Sequence, residues 1–136
     1  MDKASIAELP QQFFGGQDRL KGPLPAELCA AEYTAEIAGF PRMDIKAHGQ
    51  FGAAFYAGFP DIFHTIDEIL VEGSRVATIF TLRGTHTGSF MGIPASGKRV
   101  EVQAFAWLTT QQGRVVRLQA MFDQMGLLRQ IGALPA

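Results

Sequence analysis

Four strand-like runs follow one another between Ile62 and Phe122, and no helical period interrupts them. They cover Ile62–Val71, Arg75–Thr87, Val100–Thr110 and Arg114–Phe122. Glu72-Gly73-Ser74 and Gln111-Gln112-Gly113 read as tight hairpin turns between the first and last pairs. The middle connection, Arg83 to Lys98, is longer and punctuated by glycine, and it carries His86. Long consecutive strands with short turns make an antiparallel sheet, and strands of this length in a small domain coil strongly.

The chain ahead of residue 60 has a different period. Residues 44–58 carry a helical pattern through Ile45, Phe51, Ala54 and Phe55, with Asp44 as N-cap and Gly58 placed as a C-cap glycine before Pro60. Residues 4–14 predict a short helix weakened by Pro10. Gly15-Gly16, Gly22-Pro23 and Pro25 then break the chain, with a further short helix around Ala26–Ala31 and a strand at Tyr33–Ile37. Gln124–Ile131 predicts a C-terminal helix. Helices first and strands after is an α+β order. The expected fold is a cone-shaped, strongly curved antiparallel sheet wrapped over N-terminal helices with a central cavity, a single domain over 1–136.

Composition narrows the function classes. Twelve Lys plus Arg against 13 Asp plus Glu give a net charge of −1, with no basic cluster. Such a chain offers no field for nucleic acid or an anionic membrane. Only 18% of residues are charged and 47% are hydrophobic. Val100, Val102, Ala104, Ala106 and Leu108 alternate with Phe105 and Trp107, so both faces of that strand are apolar. A sheet apolar on both faces needs two covers: the helices, and a second copy in a homodimer or higher oligomer. Cys29 is the one cysteine and reads as a buried, inert thiol. The start, Met1-Asp2-Lys3-Ala4-Ser5, lacks a signal-peptide core, and no apolar run is long enough for a membrane helix, so a cytoplasmic setting is expected.

The ordered set Phe59-Pro60-Asp61, Thr81-Leu82-Arg83-Gly84-Thr85-His86-Thr87-Gly88, Met91-Gly92-Ile93-Pro94-Ala95-Ser96-Gly97-Lys98-Arg99-Val100 and Asp123-Gln124-Met125-Gly126-Leu127-Leu128-Arg129-Gln130-Ile131-Gly132 resembles the SnoaL-like polyketide cyclase (ester cyclase) family, from about Pro25 to Leu134. The resemblance implies the α+β cone shared with nuclear transport factor 2 and ketosteroid isomerase. It also implies an intramolecular aldol cyclisation of a polyketide ester, with no metal or organic cofactor, by an aspartate of the last strand that matches Asp123. The chain departs from the family pattern at Ile79-Phe80, where many relatives carry Arg and an aromatic, and at Arg117-Leu118-Gln119, where many carry Glu-His-Trp.

Each candidate has two readings. Asp123 is either a buried acid/base, its pKa raised by apolar company, or the N-cap of the last helix. His86 either shares the inward face with Phe80 and Leu82 and contacts substrate, or pins the glycine-rich turn. Gln119 and Met121 share the face of Asp123, and Gln103, Phe105, Trp107, Phe80, Tyr33 and His64 are the remaining candidate pocket residues, with ordinary packing as the alternative. Glu32 and Glu36 are possible second carboxylates or plain strand-edge charges. His48 is expected toward solvent. Three scattered histidines make no metal site. The working expectation is cofactor-free proton transfer, cyclisation or isomerisation, on a mostly apolar carbonyl compound, with Asp123 as acid/base. The rivals are a non-catalytic binding protein and an epoxide hydrolase, which needs carboxylates bridged by arginine.

Overall fold

A computed structural model describes residues 3–135. Met1, Asp2 and Ala136 lie outside them, and with them part of the N-terminal segment read above for a leader. The elements run α1 (Lys3–Leu20), a 3-10 turn (Ala26–Leu28), β1 (Cys29–Ile37), α2 (Ile45–Gly58), β2 (Phe63–Glu72), β3 (Arg75–Thr85), β4 (Arg99–Gln111), β5 (Arg114–Phe122) and α3 (Gln124–Gln130). The sheet order is β1-β5-β4-β3-β2. The last four strands pair antiparallel, as expected from their order. β1 joins the β5 edge in parallel, so the sheet is mixed. A parallel neighbour needs a long crossover, and everything from α2 to β4 supplies it. No described helix is long and apolar enough to cross a membrane.

α1 runs further than its local sequence predicts. Pro10 offers no N–H to the turn before it, and Gly15-Gly16 weaken the next turn. Packing overrides both. Ile6, Leu9, Phe13, Phe14 and Gln17 recur at helical spacing and are all buried. Burying such a stripe outweighs the roughly 1 kcal/mol that each helical glycine costs.

β4 alternates buried and exposed along most of its length. Val100, Val102, Ala104, Ala106 and Leu108 face the helices, while Gln103, Phe105 and Trp107 face outward. The inward set is small and the outward set bulky. That asymmetry leaves space inside and an apolar surface outside. Register shifts interrupt the ladder between Ile66 and Glu68 and between Thr109 and Thr110, and such irregularities bend strands. At the first, Thr81 Oγ1 donates to Asp67 Oδ2 at 2.6 Å.

α2 starts where expected, with Asp44 Oδ1 accepting from the Ala47 N–H at 2.8 Å. Its buried face differs from the expected one. His48, Gly52 and Tyr56 point inward, and Phe51 and Phe55 lie half-buried beside them. His48 is therefore 3% exposed and not solvent-facing. Gly58 ends the helix without a left-handed φ, and Phe59 is the C-cap. A Cβ on Gly88 would collide with the Ala57 carbonyl oxygen, and the Gly88 N–H donates to the Gly58 carbonyl at 3.0 Å. The glycines of the long connection thus let it lie against the end of α2.

Gly52 lets α1 and α2 approach. A Cβ there would stand 2.7 Å from Gln17 Nε2 and 2.9 Å from the Gly22 carbonyl oxygen. Alanine would gain roughly 1 kcal/mol of helix propensity but must displace backbone. We expect Gly52→Ala to lose about 1–3 kcal/mol net in urea unfolding. A variant more stable than wild type would show that the approach is not tight.

Candidate active site

A small apolar cavity of about 80 Å³ lies between the inner face of the sheet and the two long helices. Phe14, Phe80, Ala104, Phe51 and Phe55 form much of its wall. Four polar side chains reach it: Gln17 from α1, His48 and Tyr56 from α2, and His64 from β2.

Behind two of these sits Asp18. Tyr56 Oη donates to Asp18 Oδ1 at 2.5 Å, and His64 Nδ1 lies 2.7 Å from the same oxygen. The His64 backbone N–H donates to Asp18 Oδ2 at 2.9 Å. One carboxylate thus joins α1, α2 and β2. Burial pushes the Asp18 pKa up, but the hydrogen bonds and charge of His64, with the Tyr56 hydroxyl, outweigh it and leave it below the usual value. Burial first, and then the Asp18 contact, raise the Tyr56 pKa, so the phenol stays a donor. An ionised carboxylate only accepts, so His64 Nδ1 carries a proton. When the ring is neutral its Nε2 holds the lone pair, and no described residue bonds to that nitrogen. Phe14 stacks on the imidazole at 4.8 Å between centroids, and Phe80 packs at 5.3 Å, so two aromatic rings hold it in place.

The second histidine pairs with Tyr33. His48 Nδ1 is 2.8 Å from Tyr33 Oη, and both residues are buried. Burial, and then the charge of His64, lower the His48 pKa to about 4. Tyr33, pushed up by burial, stays protonated.

The residues singled out in the sequence fall in several places. Phe80 and His64 line the cavity, and Tyr33 stands behind it through His48. Met121 touches its edge but is 54% exposed. Gln103, Phe105, Trp107 and Gln119 lie on the outer face of the sheet, away from the cavity. Asp123 is exposed and caps α3, its Oδ1 accepting from the Gly126 N–H at 2.8 Å. Geometry thus selects the capping reading and removes Asp123 from the cavity wall. The inward–outward alternation of β5 breaks off at the helix, so the carboxylate turns to the free N–H groups of α3.

His86 pins the long connection, the second of its two readings. The Ser96 N–H donates to its Nδ1 at 3.1 Å, its own N–H donates to the Lys98 carbonyl at 2.8 Å, and its ring stacks on Phe59. It is fully buried and lines no part of the cavity. Asp61 holds the same segment, accepting from the Thr85 N–H and hydroxyl at 2.7 and 2.9 Å. Glu36 forms a two-pronged pair with Arg117 at 3.0 and 3.2 Å on the surface. Cys29 is buried, which pushes its thiol up to about 11 and leaves it unreactive. Among the described residues no three His, Cys, Asp or Glu side chains converge as metal ligands.

Sequence reasoning missed Asp18, Tyr56, His48 and Gln17. One signal was present. Asp18 falls in the last turn of α1, where exposed carbonyls disfavour a carboxylate. An acid kept there has a partner elsewhere, but reading residues 15–22 as a break hid the helix.

Comparison with known proteins agrees with this architecture. No curated protein sequence matches the chain. Among solved structures, AclR from Streptomyces galilaeus, a proposed hydroxylase, superposes with a TM-score of 0.89 at 22% identity, covering 99% of this chain and 89% of that one. IdmH from Streptomyces antibioticus, a proposed polyketide cyclase, gives 0.73 at 28% identity over 95% and 96% of the two chains. An LEH-like epoxide hydrolase of M. tuberculosis gives 0.70 at 14% over 94% and 90%. The family model for SnoaL-like polyketide cyclase matches residues 24–131, most of the chain, and the protein belongs to that family.

Proposed function

We propose that the protein catalyses proton transfer at carbon on a small, mostly apolar carbonyl compound, with His64 as acid/base and Asp18 as the residue that orients it. The observation that carries this reading is the Asp18 carboxylate bonded to both Tyr56 and His64 at the wall of an apolar cavity. Asp18 fixes the tautomer, as a carboxylate behind a catalytic imidazole does. His64 Nε2 takes an α-proton, leaving an enolate. The enolate carbon attacks a second carbonyl or is reprotonated. The resulting alkoxide or carbon recovers the proton from Nε2, so atoms and charge balance within substrate and His64. The first outcome is an aldol cyclisation and the second an isomerisation.

The site favours this over opening an epoxide. No arginine lines the cavity. Arg83 pairs with Glu101 and Arg117 with Glu36, both at the surface. The cavity is smaller than the roughly 300–1,000 Å³ of ordinary ligand sites. As it stands it takes one small ring, and a larger substrate requires half-buried Phe51 and Phe55 to swing outward.

The outer face of the sheet serves a different role in this reading. Phe105, Trp107, Leu70 and Met121 are 42–76% exposed there, with Ile79 and Ala77 between them. A second copy covering this patch makes a two-fold homodimer.

Three outcomes test these readings. In deuterium oxide the protein should speed α-proton exchange of cyclopentanone, followed by NMR. His64→Gln and Asp18→Asn should lower that rate about 10²–10⁴-fold, while Asp123→Ala should keep it and lose only about 1 kcal/mol of stability. If Asp123→Ala abolishes exchange and His64→Gln does not, the assignment is wrong. Light scattering should give a dimer for wild type and a monomer for Trp107→Glu; a wild-type monomer at high concentration removes the interface.

The third concerns pH. His48, which shares its surroundings with Tyr33, His64 and Gln17, has a folded pKa of about 4 against 6.5 unfolded. The unfolded chain therefore binds more protons between these values. This contribution to stability is complete above pH 6.5 and falls as pH drops toward 4, by about 3 kcal/mol at most. Asp18, lowered from 3.8, contributes its own loss only below that window. Urea unfolding should show this slope in wild type and a flatter one in His48→Gln; equal slopes would mean that His48 does not titrate so low.

A further inference from the structure

We infer that His48, held by Tyr33, is the hydrogen-bond donor that recognises the substrate's carbonyl oxygen, so that the cavity selects a carbonyl over a hydrocarbon of the same shape. This rests on the reading of the cavity as a carbonyl site, and it assigns a role to a residue that the proton-transfer step does not itself use.

The argument begins with Tyr33. It is 2% exposed, and the one described partner of its hydroxyl is His48 Nδ1 at 2.8 Å. A buried phenol left without an acceptor is unfavourable by about 1–3 kcal/mol, and Nδ1 is the acceptor within reach. If Tyr33 donates, Nδ1 holds the lone pair and the ring proton sits on Nε2. The opposite arrangement orphans the phenolic hydrogen in the core. The two rings lie 1° from parallel, so the contact fixes the imidazole's plane as well as its tautomer.

Nε2 is then a donor in search of an acceptor. No described residue bonds to it, yet it is not sealed against protein as His86 Nε2 is. His48 is 3% exposed overall and lines the cavity, so the opening at Nε2 is the cavity itself. A neutral imidazole N–H in apolar surroundings polarises a carbonyl without giving up its proton. His64 supplies the base and His48 the donor, each tuned by a different neighbour: a carboxylate behind the first and a phenol behind the second. The division gives the two histidines of one small cavity different roles.

Nitrogen-detected imidazole NMR on the wild-type protein tests this directly, without a variant. His48 should show the Nε2–H tautomer, and adding cyclopentanone should shift its Nε2 and Hε2 resonances. Methylenecyclopentane, the same shape without the oxygen, should bind without that shift. Cyclopentanone should bind wild type about tenfold more tightly than His48→Phe, with the hydrocarbon binding both alike. His48→Gln, which retains an N–H donor, should recover part of the difference, and Tyr33→Phe should leave mixed tautomers and a smaller preference. An Nδ1–H tautomer, or equal ketone affinity in wild type and His48→Phe, overturns the inference. If cyclopentanone shifts His64 and Phe80 but not His48, this inference falls while the cavity remains a carbonyl site. If neither probe disturbs any cavity residue, the binding site itself is refuted, and this inference with it.

Discussion

The Asp18 carboxylate is the contact on which the arrangement of the site depends. It receives a phenol from α2 and both a ring nitrogen and a backbone N–H from β2, while its own backbone belongs to α1. Three elements distant in sequence meet at two oxygen atoms. Hydrogen bonds to a charged group contribute about 1.5–3 kcal/mol each, and leaving their partners unpaired in a buried setting costs comparably. The node therefore ties α2 and β2 to α1 beside the cavity, whose wall includes both Tyr56 and His64. The same oxygens that set the architecture also orient His64, so stability and chemistry draw on one group.

The sheet makes the cavity possible by a choice of side-chain size. Ala104 and Ala120 line the cavity, while Phe105 and Trp107 stand on the other side. With the bulky residues inward, the space would be filled and the outer surface would be small and plain. The arrangement found leaves room for a ligand inside and an adhesive face outside, where Arg75 lies 5.1 Å over the Trp107 ring. Many of the residues that most resemble the family pattern hold this frame. Asp61 anchors Thr85, His86 anchors Ser96, Asp123 caps α3, and Gln130 exchanges two hydrogen bonds with the Glu101 backbone at 2.8 and 2.9 Å. They identify the fold because they build it.

The features legible in the chain alone rest on local physics. The hairpin turns at Gly73 and Gln112-Gly113 sit at positive φ, which glycine tolerates best, and the strand lengths between them come from simple alternation. Asp44 and Asp123 were legible as caps because an Asp ahead of a helical run satisfies free N–H groups by itself. Two features misled. Gly15-Gly16 looked like a break, though the stripe from Ile6 to Gln17 continues through it once packed. In β4 and β5, period two separated two faces but could not say which turned inward, because both are apolar. Choosing the wrong one placed Gln119 and Trp107 at the site.

The α+β class, the element order, the near-neutral charge balance and the family are all legible in the chain, since each depends on residue types or on residues near one another along it. Folding in three dimensions gathers Asp18, His48, Tyr56 and His64 around one small cavity and leaves Asp123 and His86 outside it. A pairing such as Asp18 with His64 joins residues 46 positions apart. No local propensity encodes such a contact. It exists because α1 and α2 pack on one face of the sheet, and that packing is settled by the burial of the whole core at once.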